Sequence, residues 1–369
     1  MDVKGGIGNM KKIFSTKEYK KRNFRRSKKL FRRRLAWKEK RKAIRRSISG
    51  YYGEKYKRAK SVHHIGEIIK RSSIMAPQDF RLIENTQECL MFFRDVRSDK
   101  YVSQTGASKL VRISLENVNR IDYGTISILT SISDDLKYKN IVLQGNFPKD
   151  LDCRKFITES GFLNHMVNEK NKPFMKSEKS ELIFFEKGQG VLSQSDNIKI
   201  SNLVKNVVDH LTGRAEHCLS VKTIILEICG NSIEWSGTDN KQWLLGVKYE
   251  SDRVIFTVTD VGKGILETLY RKFGKKIYDA FLNKSDDEIL KGAFEKKYGS
   301  ATQKVNRNKG LPSIKSNYDE GNIENLKVLT NNVILNFEDS SKSKTFAKGS
   351  PRFRGTFYQW EMTSNCINK

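Results

Sequence analysis

The pattern of apolar and polar positions changes character three times along the chain. Between Lys11 and Lys60, Phe14, Tyr19, Phe24, Leu30, Phe31, Leu35, Trp37 and Ile44 interrupt a polar background at helical intervals. With no Pro and only Gly50 and Gly53, that stretch predicts one or two helices. Residues 61–108 read as a linker or transition, in which the short run Cys89-Leu-Met-Phe-Phe93 could begin a sheet. From Lys109 the texture becomes that of a small α/β unit. Leu110, Val111, Ile113 and Leu115 predict a strand, 117–122 a loop, and Thr125 to Leu136 a helix with Ile126, Leu129 and Ile132 on one face. Asn140 to Gln144 predicts a second strand, Gly145, Asn146 and Pro148 a turn, and Asp150 to Ser160 a helix ended by Gly161. Strand, helix, strand, helix at this length implies a parallel pair.

A third region starts near Leu182. Ile198 to Leu211 and Val221 to Trp235 both carry apolar residues at helical spacing, and in the second Ile224, Ile225, Ile228 and Cys229 can face a core. Leu244 to Tyr249 and Arg253 to Thr259 predict two strands around a turn at 250–252. Asp286 to Lys297 is helix-like. Arg307 to Lys315 reads as a basic loop opening a helix, with Pro312 near its first turn. Gly355 to Glu361 is an alternating strand.

Charge divides the chain more sharply than hydropathy does. The formal net charge is +28, and residues 11–60 hold 23 Lys or Arg against three acids, a local net of +20. A body of modest charge therefore carries one intensely basic arm, which is expected to seek polyanions. Arg25, Arg26, Arg32, Arg33 and Arg34 are its densest cluster, and Phe24, Phe31 and Trp37 could stack on bases or pack. The expected partner is nucleic acid, DNA or RNA, without sequence readout. A membrane-surface helix is the weaker reading, because the apolar residues form no wide face. The five cysteines, at 89, 153, 218, 229 and 366, include no CxxC pair, and the odd count suits a reducing compartment. No apolar run approaches a membrane span or a secretory signal, so a cytoplasmic protein is expected.

Four pieces of the third region carry candidate chemistry. Glu227 and Asn231 lie four apart on one helix edge. Their oxygens suit Mg²⁺, which takes a few protein oxygens beside phosphate and water, and the carboxylate can orient or deprotonate a water or hydroxyl. Asp260-Val-Gly262-Lys-Gly264 puts an acid at a strand end before two glycines, so that a base edge can meet a carboxylate while backbone approaches closely. Lys309-Gly310 opens a helix whose free amides can hold phosphates. Gly355-Thr356 starts a strand on which the hydroxyl can bond a purine.

In this order and spacing the four pieces resemble the GHKL superfamily of gyrase, histidine kinases, MutL and the anti-sigma kinases, with its Bergerat-type ATP pocket, over residues 182–369. The resemblance implies Glu227 as the catalytic or water-orienting acid and Asn231 as the Mg²⁺ ligand. It further implies Asp260 as reader of the adenine amino group over Gly262 and Gly264, Lys309 and Gly310 as phosphate-lid residues, and Thr356 in the adenine-side strand. The family's G-x-G lid begins here with Asn308, which implies weaker binding. No H-box is present: His210, in Val208-Asp-His-Leu, is expected on a helix surface, and a self-phosphorylating sensor kinase is not. Upstream, Leu115-Glu-Asn-Val-Asn-Arg-Ile-Asp122-Tyr-Gly, with Gly145-Asn-Phe-Pro148 and Ser160-Gly-Phe162, resembles a STAS domain over residues 109–175. Regulated STAS proteins place a phosphorylatable Ser after that Asp. Tyr123 stands there instead, which favours a packing module.

The expected architecture is thus α/β and α+β: a basic helical arm (1–60), a STAS-like α/β module, and a GHKL α/β sandwich. The expected function is ATP-driven, Mg-dependent switching in bacterial regulation, through an ATPase or an anti-sigma-type Ser/Thr kinase. The alternative is an ATP sensor that does not hydrolyse and docks a protein partner. A protein partner could also reach the STAS-like module.

Overall fold

The computed structural model describes residues 73–105, 108–166, 174, 183–189, 192–235, 242–271, 284–295, 310–347 and 349–368, and, nearer the start, 16–19, 21–25, 27, 28 and 32. The chain divides into two units, Met1–Arg71 and Ser72–Lys369. In the first, residues 17–19, 21–25, 27, 28 and 32 are helical, and Phe24 is 67% exposed. This agrees with the helical expectation at those positions.

The second unit begins with strands β1 (Ile74–Met75) and β2 (Asp79–Phe80), then helix α1 (Thr86–Val96). Here the structure corrects the sequence reading, because Cys89 to Phe93 is helical rather than strand. Cys89, Leu90, Phe92, Phe93 and Val96 are all buried, a helical spacing that shows only when Val96 is included with the run. Phe80 meets Phe92 edge-on at 5.0 Å and holds the helix against the rest of the module. There follow β3 (Ser103–Thr105), β4 (Ser108–Ser114), β5 (Arg120–Ile121), α2 (Tyr123–Tyr138), β6 (Ile141–Gly145) and α3 (Leu151–Glu159). β4 pairs in parallel with β6, as the pattern implied, and also with β1; β3 pairs with it antiparallel. The sheet thus draws in strands from before residue 109. Asp122 explains how α2 starts: one carboxylate oxygen accepts from the Thr125 amide at 2.7 Å, the other from Leu82 N at 2.8 Å. Asp150 caps α3 by accepting from the Cys153 amide at 2.8 Å, and Gly161, at φ +76°, separates α3 from the short 3-10 turn Phe162–His165.

The remaining elements are β7 (Ile183–Gln189), α4 (Gln194–Thr212), α5 (Leu219–Trp235), β8 (Gln242–Tyr249), β9 (Arg253–Asp260), α6 (Asp286–Phe294), α7 (Gly310–Asp319), β10 (Glu324–Asn331), β11 (Val333–Asn336), β12 (Lys344–Thr345) and β13 (Phe353–Thr363). Their seven strands form one antiparallel sheet in the order β12-β11-β10-β13-β9-β8-β7. The fold is mixed helix and sheet. Among the described residues no helix is long and apolar enough to cross a membrane.

Alternation along these strands feeds two separate cores. Leu245, Val247, Phe256, Val258, Val328, Tyr358 and Trp360 face a core shared with α4, α5, α6 and α7. Leu244, Leu329, Phe353 and Phe357 join the core of the first module. Both faces of the large sheet are covered, which is why β13 is buried nearly throughout instead of alternating as its sequence suggests. The covering element on the second face is α2. Ile126, Leu129 and Ile132 are buried as the pattern predicted, but so are Ser127 and Ser131 on the other side. Small residues there permit close approach: a Cβ on Gly124 would lie 3.0 Å from Phe357 Cζ. Ser127 Oγ lies 2.9 Å from Thr259 Oγ1 and accepts from Thr257 Oγ1 at 3.1 Å, while the Tyr123 hydroxyl donates to the Val247 carbonyl at 3.1 Å. Tyr123 is thus 5% exposed and held against the large sheet.

Candidate functional site

Helix α5 is positioned by Ile224, Ile225, Ile228 and Cys229, all fully buried in the core over the large sheet. That seating leaves Glu227 and Asn231 together on the edge where α7 begins. A Cβ on Gly310 would stand 2.7 Å from Asn231 Nδ2, 3.0 Å from its Oδ1 and 3.1 Å from Glu227 Oε2. Three residues separated in sequence therefore meet, and the first residue of α7 comes close only because it has no side chain. Asn231 Nδ2 is buried and has no hydrogen-bond partner. An orphaned amide of this kind costs roughly 1–3 kcal/mol, which a ligand oxygen would relieve. Lys309 lies outside the described residues.

The second cluster sits at the end of β9. Asp260 pairs with Thr356 across the β9–β13 ladder, and both have the strand parity of the residues that face the α5 side. Asp260 Oδ1 accepts from the Gly262 amide at 2.9 Å, and its carboxylate is also bonded to Thr356. Burial raises the Asp260 pKa to about 6, against the opposing pull of the Gly262 and Thr356 hydrogen bonds and the Arg97 charge. Both clusters thus belong to one face of the sheet.

Sequence reasoning missed the residues that hold this loop. β10 and β11 join through a two-residue turn, Asn331-Asn332, with Asn331 at φ +53°. The Asn331 carboxamide accepts from Leu266 N at 3.1 Å and donates to the Lys263 carbonyl at 2.8 Å. Thr330 Oγ1 accepts from Ile265 N at 2.9 Å and donates to the Gly355 carbonyl at 3.0 Å. Together they cap residues 265–271, which are helical, and fold Asp260 to Gly264 into a tight turn. Gly264, at φ +82°, is required there, since a Cβ would lie 2.5 Å from Asn331 Oδ1 and 2.7 Å from Thr330 Oγ1. The available signal was Asn-Asn between the apolar runs 328–329 and 333–335, a hairpin cue.

Gly355 is tighter still: at φ +143°, a Cβ would fall 2.0 Å from the Asp260 carbonyl oxygen. Backbone cannot yield as a side chain can. Gly355→Ala is therefore expected to lower unfolding free energy by about 2 kcal/mol or more, read as a shifted denaturation midpoint at unchanged slope. An unshifted midpoint would contradict this close approach.

No family model, curated protein or solved structure matches the chain. The functional reading therefore stands on the chain's own residues. His210 is exposed on α4, its Nε2 2.7 Å from the Glu250 carbonyl and its ring edge-on to Tyr249, in keeping with a helix-surface role. The helix-like stretch from Asp286 forms α6, which buries Ile289, Leu290 and Phe294 in the main core. Among the described residues no three His, Cys, Asp or Glu side chains gather to hold a metal. A divalent ion at Asn231 would accordingly need oxygens from a ligand and water, the usual habit of Mg²⁺. In the basic arm, Arg25 and Arg32 are helical and exposed, while Arg26, Arg33 and Arg34 lie outside the described residues.

Proposed function

We propose that the protein is a Mg²⁺-dependent ATP-binding regulatory switch with a nucleic-acid-binding arm. The observation that supports this most is the convergence of Glu227, Asn231 and Gly310 on the sheet face that also carries Asp260 and Thr356. One test of fit favours a nucleotide: the buried Asn231 Nδ2 has no hydrogen-bond partner, and a ligand oxygen there would supply one. In this reading Asp260 accepts from the adenine amino group, with Thr356 beside it and Gly262 and Gly264 beneath. Asn231 supplies an oxygen to the metal, Lys309 and Gly310 meet phosphates, and Glu227 orients the attacking water or hydroxyl. A bound nucleotide supplies a transferable phosphoryl group. The roles follow the resemblance to GHKL proteins, and the docking of α2 on the rear of the same sheet offers a route by which occupancy is felt by the first module.

Incubation of the full chain with γ-labelled ATP, with and without nucleic acid, tests the proposal. Released phosphate identifies an ATPase and labelled protein a Ser/Thr kinase. Bound but intact ATP identifies a sensor. Absence of binding removes the proposal. Two variants divide the roles. Asn231→Ala should lose Mg²⁺-dependent binding. Glu227→Ala should retain ATP and lose turnover by ~10²-fold or more, the scale of a general base. Equal loss of binding in both would show that the division is wrong.

A further inference from the structure

Arg97 follows the last residue of α1, and the buried Phe92, Phe93 and Val96 fix where its side chain starts. From there the guanidinium crosses to the large sheet. One terminal nitrogen donates to the Arg354 carbonyl at 2.6 Å and the other to the Val261 carbonyl at 2.7 Å. Val261 directly follows Asp260, and Arg354 stands two residues before Thr356. The β9–β13 ladder ends at the Asp260–Thr356 pair. Beyond it, β13 shifts register against β10, so that Thr330 opposes Thr356 while Asn331 opposes Phe353. Backbone acceptors just past a ladder's end lack strand donors, and one planar guanidinium can serve two of them at a set separation. Burial lowers the Arg97 pKa, with the Asp135 and Asp260 carboxylates opposing that loss and Arg354 adding to it.

We infer that Arg97 is a positioning residue for the adenine-reading end of the pocket: by bridging the Val261 and Arg354 carbonyls it sets the spacing of the strand ends that carry Asp260 and Thr356. The inference rests on the pocket assignment proposed above. It makes nucleotide affinity depend on a residue of the first module, which otherwise touches this sheet from its rear face. The Ser127 hydroxyl of α2 supports the same coupling from that face, where it meets Thr257 and Thr259, the latter adjacent to Asp260. Arg97 also places a positive charge near the buried Asp260 carboxylate and favours its ionised form.

The experiment compares Arg97→Ala and Arg97→Lys in the full chain, reading affinity for ATP, GTP and inorganic triphosphate alongside the thermal midpoint. Arg97→Ala should weaken ATP on the order of tenfold or more, the scale of a lost charge-assisted hydrogen bond. Its ATP-over-GTP preference should fall, because the base-reading end is loosened, while triphosphate affinity stays unchanged. Arg97→Lys should recover part of the ATP affinity, since an ammonium reaches a carbonyl without the rigid fork. Wild-type ATP affinity and preference in a folded Arg97→Ala protein would overturn the inference. Equal losses for ATP and triphosphate would also overturn it, by marking a general structural role. If the Ala variant does not fold, the Lys variant decides: an intermediate affinity with lowered preference supports the inference, and wild-type values overturn it. Asp260→Asn, run in parallel, separates the two assignments. If it keeps ATP, the pocket itself is misassigned and the role of Arg97 falls with it; if it loses ATP while Arg97→Ala does not, Arg97 alone is misassigned.

Discussion

Asp260→Asn should abolish measurable ATP binding, a loss on the order of 10²-fold or more, while leaving the protein folded. The carboxylate is the acceptor proposed for the adenine amino group, and an amide turned toward Gly262 and Thr356 presents that group with a donor of its own. Stability should move the other way. Burial lifts the Asp260 pKa from 3.8 to about 6. Between those values the folded state binds more protons than the unfolded one, so this residue's contribution to stability declines as pH rises through the window. Above pH 6 the cost is complete, roughly 3 kcal/mol at pH 7. A neutral Asn of the same shape removes that cost. Asp260→Asn should therefore melt at or above the wild-type temperature at pH 7, and its stability should vary less between pH 4 and 6. Calorimetric titration and melts across that range check both parts. Unchanged ATP affinity would dismiss the pocket assignment, and a large loss of stability at pH 7 would contradict the burial argument.

Deleting residues 1–60 should remove most nucleic-acid affinity and leave ATP affinity nearly unchanged. The arm holds a local net of +20 out of +28, and its charge lies in a unit distinct from the body that carries the candidate pocket. Affinity governed by counterion release follows the number of phosphates neutralised. If roughly six to ten are engaged, the full chain should lose about 10³–10⁵ in affinity between 50 and 200 mM salt. Discrimination between sequences should be slight, because no groove-reading motif accompanies the charge. Filter binding of both proteins across that salt range measures this. Equal affinities in the two proteins, or a flat salt response, would make the arm a solvated tail or a protein-docking segment.

Local pattern carried much of the second unit. The spacing of Ile224, Ile225, Ile228 and Cys229 located α5 and put Glu227 and Asn231 on its edge, because a helix seats whatever stripe it can bury. Asp122, Asp150 and Gly161 punctuated their helices through bonds and dihedrals that act within a few residues, so those boundaries were legible too. The charge of the arm needed no fold at all. The run Cys89 to Phe93 was misread because a short apolar stretch fits a strand or a buried helix equally well until its partners are known. The double burial of the large sheet, the Ser127 hydroxyl of α2 set against Thr257 and Thr259, and the reach of Arg97 to Val261 and Arg354 were not legible either. Nor was the cap that Thr330 and Asn331 place on the Asp260 loop. Each joins residues far apart in the chain. Periodicity reports which side of an element is apolar, but the choice of what covers that side is made by closing the chain on itself, and only tertiary packing makes it.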